Sequence, residues 1–108
     1  MRLLIVLLGL AVAGGVQARG NAASGKAKAE QVCAACHGPD GNKPSAPDQP
    51  VLAGQYYDYL VRALTDYKNG RRTNPIMKGF AAQLSKQDIE DVAAWFSSQQ
   101  ASPLHNQR

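Results

Sequence analysis

Hydrophobic positions along this chain repeat at helical spacing in three segments, and no segment alternates as a strand does. The repeat is clearest near the end of the chain, where apolar residues follow one another at i, i+3, i+4 and i+7: Ile89, Val92, Ala93 and Phe96. Directly before them, Ser85-Lys86-Gln87-Asp88 resembles a capping box, in which a serine and an acidic residue close the start of a helix. The pattern predicts a helix that begins at Ser85.

Two earlier helices are predicted from the same periodicity. The first has Asn21 or Ser24 as its N-cap and runs to Cys36. The second runs from about Gly54 to Asn69, and Gly70 is placed to end it. The side chains that share the inner faces are Ala29, Val32, Cys33 and Cys36 in the first helix, and Tyr56, Leu60, Ala63, Leu64 and Tyr67 in the second. We expect both faces to be buried.

Between these helices lie two segments without a helical repeat. Gly38 to Pro50 contains four prolines, which neither a helix interior nor a central strand tolerates, so we expect an irregular loop. A loop this long usually has a task, and wrapping a cofactor would be one. Asn74 to Phe80 is expected to be a turn region, and it contains Met77.

The first 18 residues have the pattern of a secretory signal peptide. A basic start at Arg2 precedes an apolar run from Leu3 to Val12, and Val16-Gln17-Ala18 is a small-residue cleavage pattern. The alternative is a membrane anchor, but the apolar run is shorter than the ~20 residues that a spanning helix needs. We therefore expect residues 1–18 to be removed, leaving one domain over residues 19–108 in an oxidising compartment.

The chain's two cysteines stand in Cys33-Ala34-Ala35-Cys36-His37, the C-x-x-C-H signature of covalent haem c attachment. Two thiols at this spacing can add to the two vinyl groups of a porphyrin, and the neighbouring imidazole can bind the iron. A redox disulfide and half of a zinc site are the alternatives. The redox disulfide is disfavoured because such a reactive pair stands at the start of a helix, whereas these cysteines follow one. The zinc site is disfavoured because zinc needs four ligands, and His105 is the one histidine left to add to this motif.

A haem iron would need a sixth ligand, or would leave that position open. If the ligand is a thioether, Met77 is the one candidate, since Met1 leaves with the signal. The alternative is that Met77 fills a gap in the core. Arg71 and Arg72 are expected to be a solvated helix end, with contact to a haem propionate as the second interpretation.

Charge gives no support for nucleic-acid binding. The full chain has 12 Lys and Arg against 8 Asp and Glu, and loss of Arg2 and addition of two haem propionates would bring it close to neutral. It contains no block of basic residues interleaved with aromatic residues.

Several motifs in a fixed order now resemble a known family. They are Cys33-Ala34-Ala35-Cys36-His37-Gly38, Leu52-Ala53-Gly54-Gln55-Tyr56, Pro75-Ile76-Met77, and Ala82 through Phe96. In this order they resemble the class I c-type cytochromes, closest to the small bacterial cytochrome c553 and c4 type of domain.

The resemblance implies an all-α, class I cytochrome c-like fold in which three main helices surround a covalent haem and the first and last helices cross. It places Gly25 and Ala29 against Val92 and Trp95 at that crossing. It implies that Cys33 and Cys36 hold the haem, that His37 and Met77 bind the iron, that the carbonyl of Pro50 accepts a hydrogen bond from His37, and that Leu52 contacts the cofactor.

With both axial positions filled, the iron could exchange electrons but not readily bind a substrate. We therefore expect a periplasmic electron carrier that is not an enzyme, docks transiently with redox proteins and does not insert stably into a membrane. Its docking surface is expected at the haem edge, among Lys43, Ile76, Lys78, Gly79 and Phe80. The alternatives are a haem subunit of a periplasmic oxidoreductase, a gas-binding or peroxidase protein with an open iron position, and a haem-free thiol-disulfide module.

Overall fold

The computed structural model describes residues 20–102, and the regular secondary structure of this part of the chain consists of helices, without strands. The predicted signal peptide (residues 1–18) and His105 lie outside the described residues. Five helices follow in order: α1 Ala22–Val32, α2 Ala34–His37, α3 Tyr57–Asn69, α4 Pro75–Ala82 and α5 Lys86–Ser98. The three longest, α1, α3 and α5, correspond to the three predicted helices. No helix in the described range is long and apolar enough to cross a membrane.

The crossing of α1 and α5 is the main packing contact of the fold. A Cβ added at Gly25 would lie 1.9 Å from the carbonyl oxygen of Asp91, so only a glycine lets the two backbones approach this closely. Ala29 and Val92 are fully buried beside it. The expected crossing is thus confirmed, and it encloses an apolar cluster that consists of Ala29, Leu60, Leu84, Ile89, Val92, Ala93 and Phe96.

Hydrogen bonds hold the start of α1 to the other long helices. The N–H of Asn21 donates to the buried carboxylate of Asp91 on α5 (2.7 Å), and the N–H of Gly20 donates to the hydroxyl of Tyr57 on α3 (3.2 Å). The side chain of Asn21 accepts from Ser24 N–H at 3.0 Å, which makes Asn21 the N-cap. Of the two predicted starts, Asn21 is correct.

Two helix boundaries differ from the prediction. The first helix does not run unbroken to Cys36, because Cys33 ends α1 and the chain turns there before α2 begins. The second predicted helix begins at Tyr57 and not near Gly54, since Gly54 has a left-handed φ of 74° and donates its N–H to Phe96 (2.9 Å). That bond ties the loop to α5.

The structure also corrects the predicted surroundings of two side chains. Tyr56, expected on the buried face, is 80% exposed because it precedes α3 and does not belong to it. Met77, expected in a turn, lies in α4. Asn74 caps that helix by accepting from the N–H groups of Ile76 and Met77, and Pro75 occupies its first turn.

The segment from Gly38 to Tyr56 is irregular, as its prolines predict. It is nevertheless held at fixed points. Gly41 has a φ of 82°, and its carbonyl accepts from Leu52 N–H at 2.9 Å, which folds the loop back on itself. The indole N–H of Trp95 donates to the carbonyl of Pro39 (2.9 Å). The proline-rich loop is thereby tied to α5.

Candidate cofactor site

A cavity of about 270 Å³ lies within the fold, between the proline-rich loop and helices α1 to α5. Its wall is mainly apolar, and it includes these aliphatic and aromatic side chains: Val32, Pro50, Val51, Leu52, Leu60, Leu64, Ile76, Phe80, Val92 and Phe96. Four of the predicted site residues line it as well, namely Cys33, Cys36, His37 and Met77. The fold therefore gathers at one cavity all six residues for which the sequence and the resemblance suggest a cofactor role.

Helix α2 presents the histidine at this cavity. His37 is buried and is the last residue of the helix, and Gly38, with a φ of 85°, caps the helix by donating its N–H to Ala34. The imidazole Nδ1 lies 2.9 Å from the carbonyl oxygen of Pro50. Because a carbonyl oxygen can only accept, Nδ1 carries the proton of the neutral ring, and the lone pair is then on Nε2. A metal could therefore be bound through Nε2.

The two cysteines are free thiols in the structure. Burial raises the pKa of Cys33 to about 11, so this thiol is protonated at neutral pH. A thiol that takes part in disulfide exchange needs a lowered pKa. The environment of Cys33 is therefore opposite to that of a redox disulfide. Within residues 20–102, no group of three or more His, Cys, Asp or Glu side chains could hold a metal, and His105, the further ligand considered for zinc, lies outside the described residues.

Comparison with known proteins identifies the family. The model of the family described as cytochrome c matches residues 22–100. Cytochrome c-554(548) of Halomonas halodenitrificans is 42% identical over 84 residues, which are 75% of this chain and 99% of that protein. This chain belongs to the cytochrome c family.

The relationship extends to the cytochromes c4. Cytochrome c4 of Pseudomonas aeruginosa is 50% identical over 100 residues, or 93% of this chain and 49% of that protein. The crystal structure of reduced cytochrome c4 from Pseudomonas stutzeri superposes with a TM-score of 0.70 at 46% identity, and the match covers 77% of this chain and 47% of that one. The chain thus spans about half the length of the cytochromes c4 that it matches, and it shares their class I fold.

Family membership makes covalently bound haem c, with its iron, the cofactor of this chain. The cavity fits such a group. Its apolar walls suit a porphyrin, its two free thiols suit vinyl addition, and its buried imidazole has a fixed tautomer.

The sequence interpretation missed two parts of the site. Helix α4 was taken for a turn, although Asn74-Pro75 is a common start of a helix. Tyr59, which was not singled out, lines the cavity, and so does Arg72, for which a solvated helix end was the first interpretation and contact with a haem propionate the second. Contact between Arg72 and Tyr59 joins residues 13 apart, which helical periodicity along α3 does not reveal.

Proposed function

We propose that this chain is a periplasmic electron carrier whose haem c is attached through Cys33 and Cys36, with His37 and Met77 as the two axial ligands. The observation that carries the proposal is that one cavity is lined by all four side chains, although they come from the end of α1, from α2 and from α4. When bound, haem c supplies an iron that gains and loses one electron.

His37 is suited to be the first ligand because its ring is fixed before any metal is bound. Its bond to Pro50 sets the tautomer and the orientation of the ring, as the second partner of a metal-bound histidine usually does. Pro50 is itself held in a loop where the side-chain oxygen of Gln49 accepts from both Ser45 and Ala46. The ligand is thus supported by the loop and by the helix that carries it.

Met77 is suited to be the second ligand because α4 places it at the cavity from a defined helix turn. Its backbone N–H donates to Asn74 at 3.1 Å, and its side chain is half-buried. A thioether is a soft ligand and favours ferrous over ferric iron, and an apolar wall acts in the same direction by disfavouring the extra charge. Both effects raise the reduction potential of the centre.

Occupation of both axial positions argues for a carrier and against an enzyme. With His37 and Met77 both bound, neither a substrate nor dioxygen has a position on the metal. The apolar side chains around the cavity limit the access of water. Electron exchange with a docked partner is the remaining use of such a centre.

The proposed docking surface surrounds α4. Ile76 is 64% exposed although it is apolar, and Lys78, Gly79 and Lys43 are exposed as well. Phe80 lines the cavity, so its ring connects this surface to the cofactor side. A small apolar patch with scattered positive charge suits brief contacts that form and break quickly.

Two relatives favour a second candidate function, that of a haem subunit in a periplasmic oxidoreductase. One is the thiosulfate dehydrogenase electron acceptor of Stutzerimonas stutzeri, 42% identical over 66 residues, and the other is the cytochrome subunit of sulfide dehydrogenase of Chlorobaculum tepidum, 38% identical over 66 residues. Gel filtration of the native protein distinguishes the two functions. A free carrier elutes at the size of this chain alone, and a subunit elutes with its partner.

The ligand assignment is tested by the variant Met77→Ala. In the wild type, the oxidised protein should show the weak absorption band near the red end of the spectrum that marks ferric iron bound to methionine. The variant should lose this band and have a lower potential, because the soft ligand is gone. Mass spectrometry of the denatured protein should show one covalent haem in both proteins.

Two outcomes would contradict the proposal. If the band persists in Met77→Ala, another group is the sixth ligand. If the exported wild-type protein has the mass of the bare polypeptide, Cys33 and Cys36 do not attach haem. The mass after export also tests the expected removal of residues 1–18.

A further inference from the structure

Helix α2 is hydrogen-bonded to the proline-rich loop at two separate places. On one side, the carbonyl of Cys36 accepts from Ser45 N–H at 2.9 Å, and the carbonyl of His37 accepts from Lys43 N–H at 3.1 Å. On the other side, the carbonyl oxygen of Pro50 lies 2.9 Å from Nδ1 of His37. The loop therefore leaves the helix and returns to it, and its return point is the acceptor for the proposed iron ligand.

One side chain joins these two parts of the loop. Oε1 of Gln49 accepts from Ser45 N–H (2.8 Å), from Ser45 Oγ (2.9 Å) and from Ala46 N–H (3.0 Å). A carbonyl oxygen has two lone pairs, so three donors saturate it and fix the direction of the amide. Gln49 thus links the residue bonded to Cys36 with the residue directly before Pro50.

The position of the Pro50 carbonyl follows that of Gln49 closely. The proline ring fixes φ at Pro50, and it also narrows the conformations open to the residue before it. No residue from Lys43 to Pro50 is buried, so packing against the core does not hold this part of the loop. Its hydrogen bonds determine where it lies, and the three accepted by Gln49 are the ones nearest to Pro50.

We propose that Gln49 is a positioning residue, which holds Pro50 against His37 and thereby helps to set the reduction potential of the haem. This inference rests on the proposed ligation by His37 and adds the residue that controls its hydrogen bond. An acceptor on Nδ1–H makes an imidazole a stronger donor to the metal. A stronger donor favours ferric over ferrous iron, so a firmly held Pro50 lowers the potential and opposes the effect of the apolar wall.

The main test is Gln49→Leu, which keeps most of the side chain's size but removes the acceptor oxygen. Exchange of the Nδ1 proton of His37 with solvent is followed by NMR in the ferrous, haem-loaded protein, and the midpoint potential is measured on the same sample. Exchange should become about two- to tenfold faster, the range that the net contribution of one hydrogen bond spans. The potential should rise, because the imidazole then donates less to ferric iron.

Gln55→Leu is the matched control, because it removes the same amide from the wall of the same cavity. The side-chain oxygen of Gln55 accepts from Tyr56 N–H at 3.0 Å and is not bonded to the loop before Pro50. Its Nδ1 exchange should equal that of the wild type. Any change in its potential measures the loss of a polar group at the wall, and the potential of Gln49→Leu should lie above it.

Two milder variants cover poor folding of Gln49→Leu. Gln49→Glu keeps acceptor oxygens for Ser45 and Ala46, so its Nδ1 proton should exchange as in the wild type. Ser45→Ala removes one of the three donors and keeps the backbone N–H. It should accelerate the exchange by a smaller factor than Gln49→Leu does.

The proposal is overturned if Gln49→Leu and Ser45→Ala lower the melting temperature but leave the Nδ1 exchange like that of Gln55→Leu. Gln49 would then stabilise the loop without acting on His37. A failure of the proposed function gives a different result, since the wild type itself would then carry no covalent haem and have no potential to measure.

Discussion

The crossing of α1 and α5 and the cavity side around α4 differ in how much of their packing the polypeptide itself supplies. At the crossing, Ala29, Val92 and Ala93 are completely buried and the backbones are in direct contact. Around α4, Ile76 is largely exposed, a Cβ at Gly79 would meet no atom within 4 Å, and the cavity of about 270 Å³ lies next to the helix. At the crossing, protein side chains fill the interior of the domain. Around α4, the cofactor is needed to fill it.

This difference has an energetic consequence. A cofactor in this cavity takes the apolar wall out of contact with water, and each large apolar side chain that is fully buried contributes about 1.5–3 kcal/mol. A small domain is stabilised by only about 5–15 kcal/mol in total. The cofactor therefore contributes a share of the stability comparable to the whole margin, which is a common property of small domains that depend on a covalent or metal staple.

The largest expected effect follows from preventing haem attachment. The double variant Cys33→Ser/Cys36→Ser keeps the size of both side chains but cannot form thioether bonds. We expect the variant to lose about 3–6 kcal/mol, the amount that burial of two large apolar side chains contributes, and to be largely unfolded, with the cavity side affected most. Circular dichroism during heating measures this loss. A cooperative transition like that of the haem-loaded wild type would show that the polypeptide closes the cavity without the cofactor.

A smaller effect is expected from changing the contact at the crossing. Gly25→Ala places a methyl group 1.9 Å from the carbonyl oxygen of Asp91, and both atoms belong to helices that must then separate. We expect a loss of about 3 kcal/mol in the free energy of unfolding. Denaturant unfolding of the haem-loaded protein measures it.

Gly79→Ala is the matched control for that variant. Gly79 lies inside α4, and the added methyl group meets no other protein atom within 4 Å, so alanine should raise the free energy of unfolding by about 0.5–1 kcal/mol. If Gly79→Ala destabilises the haem-loaded protein as much as Gly25→Ala does, the cofactor side is packed as tightly as the crossing, and the contrast between the two halves is wrong.

The same contrast explains what could be predicted from the sequence. The helix at the crossing was predicted well, since Ser85, Ile89 and Phe96 follow the rules of capping and periodic burial, and both act within one helix. The capping box of Ser85 and Asp88 is present as expected. The signature around Cys33 and His37 indicated haem because its chemistry depends on spacing alone.

The cavity side was predicted less completely because the positions of its residues depend on the cofactor and on residues that are distant in the sequence. The apolar residues of α4 follow a short helix whose start was not recognised at Asn74, and the position of Met77 was therefore assigned to a turn. The direction of Arg72 depends on hydroxyl groups of residues 5 and 13 positions earlier, and periodicity does not encode it. The bond between His37 and Pro50 followed from the resemblance to a family and not from the residues themselves.

The last expected effect compares two caps of similar strength, one on each side of the domain. The side chain of Asn74 accepts from Met77 N–H at 3.1 Å, and Ser85 accepts from Asp88 N–H at 3.0 Å. Replacing either residue by alanine should lower the free energy of unfolding by about 1 kcal/mol. Only Asn74→Ala should also loosen the proposed bond between Met77 and the iron, because α4 carries that ligand and α5 does not. Since one pH unit corresponds to 1.36 kcal/mol, the alkaline pH at which the red-end absorption band disappears should fall by about 0.7 units in Asn74→Ala and stay unchanged in Ser85→Ala. Equal shifts in both variants would mean that the stability of the whole domain, and not the local anchoring of α4, determines how firmly Met77 is held.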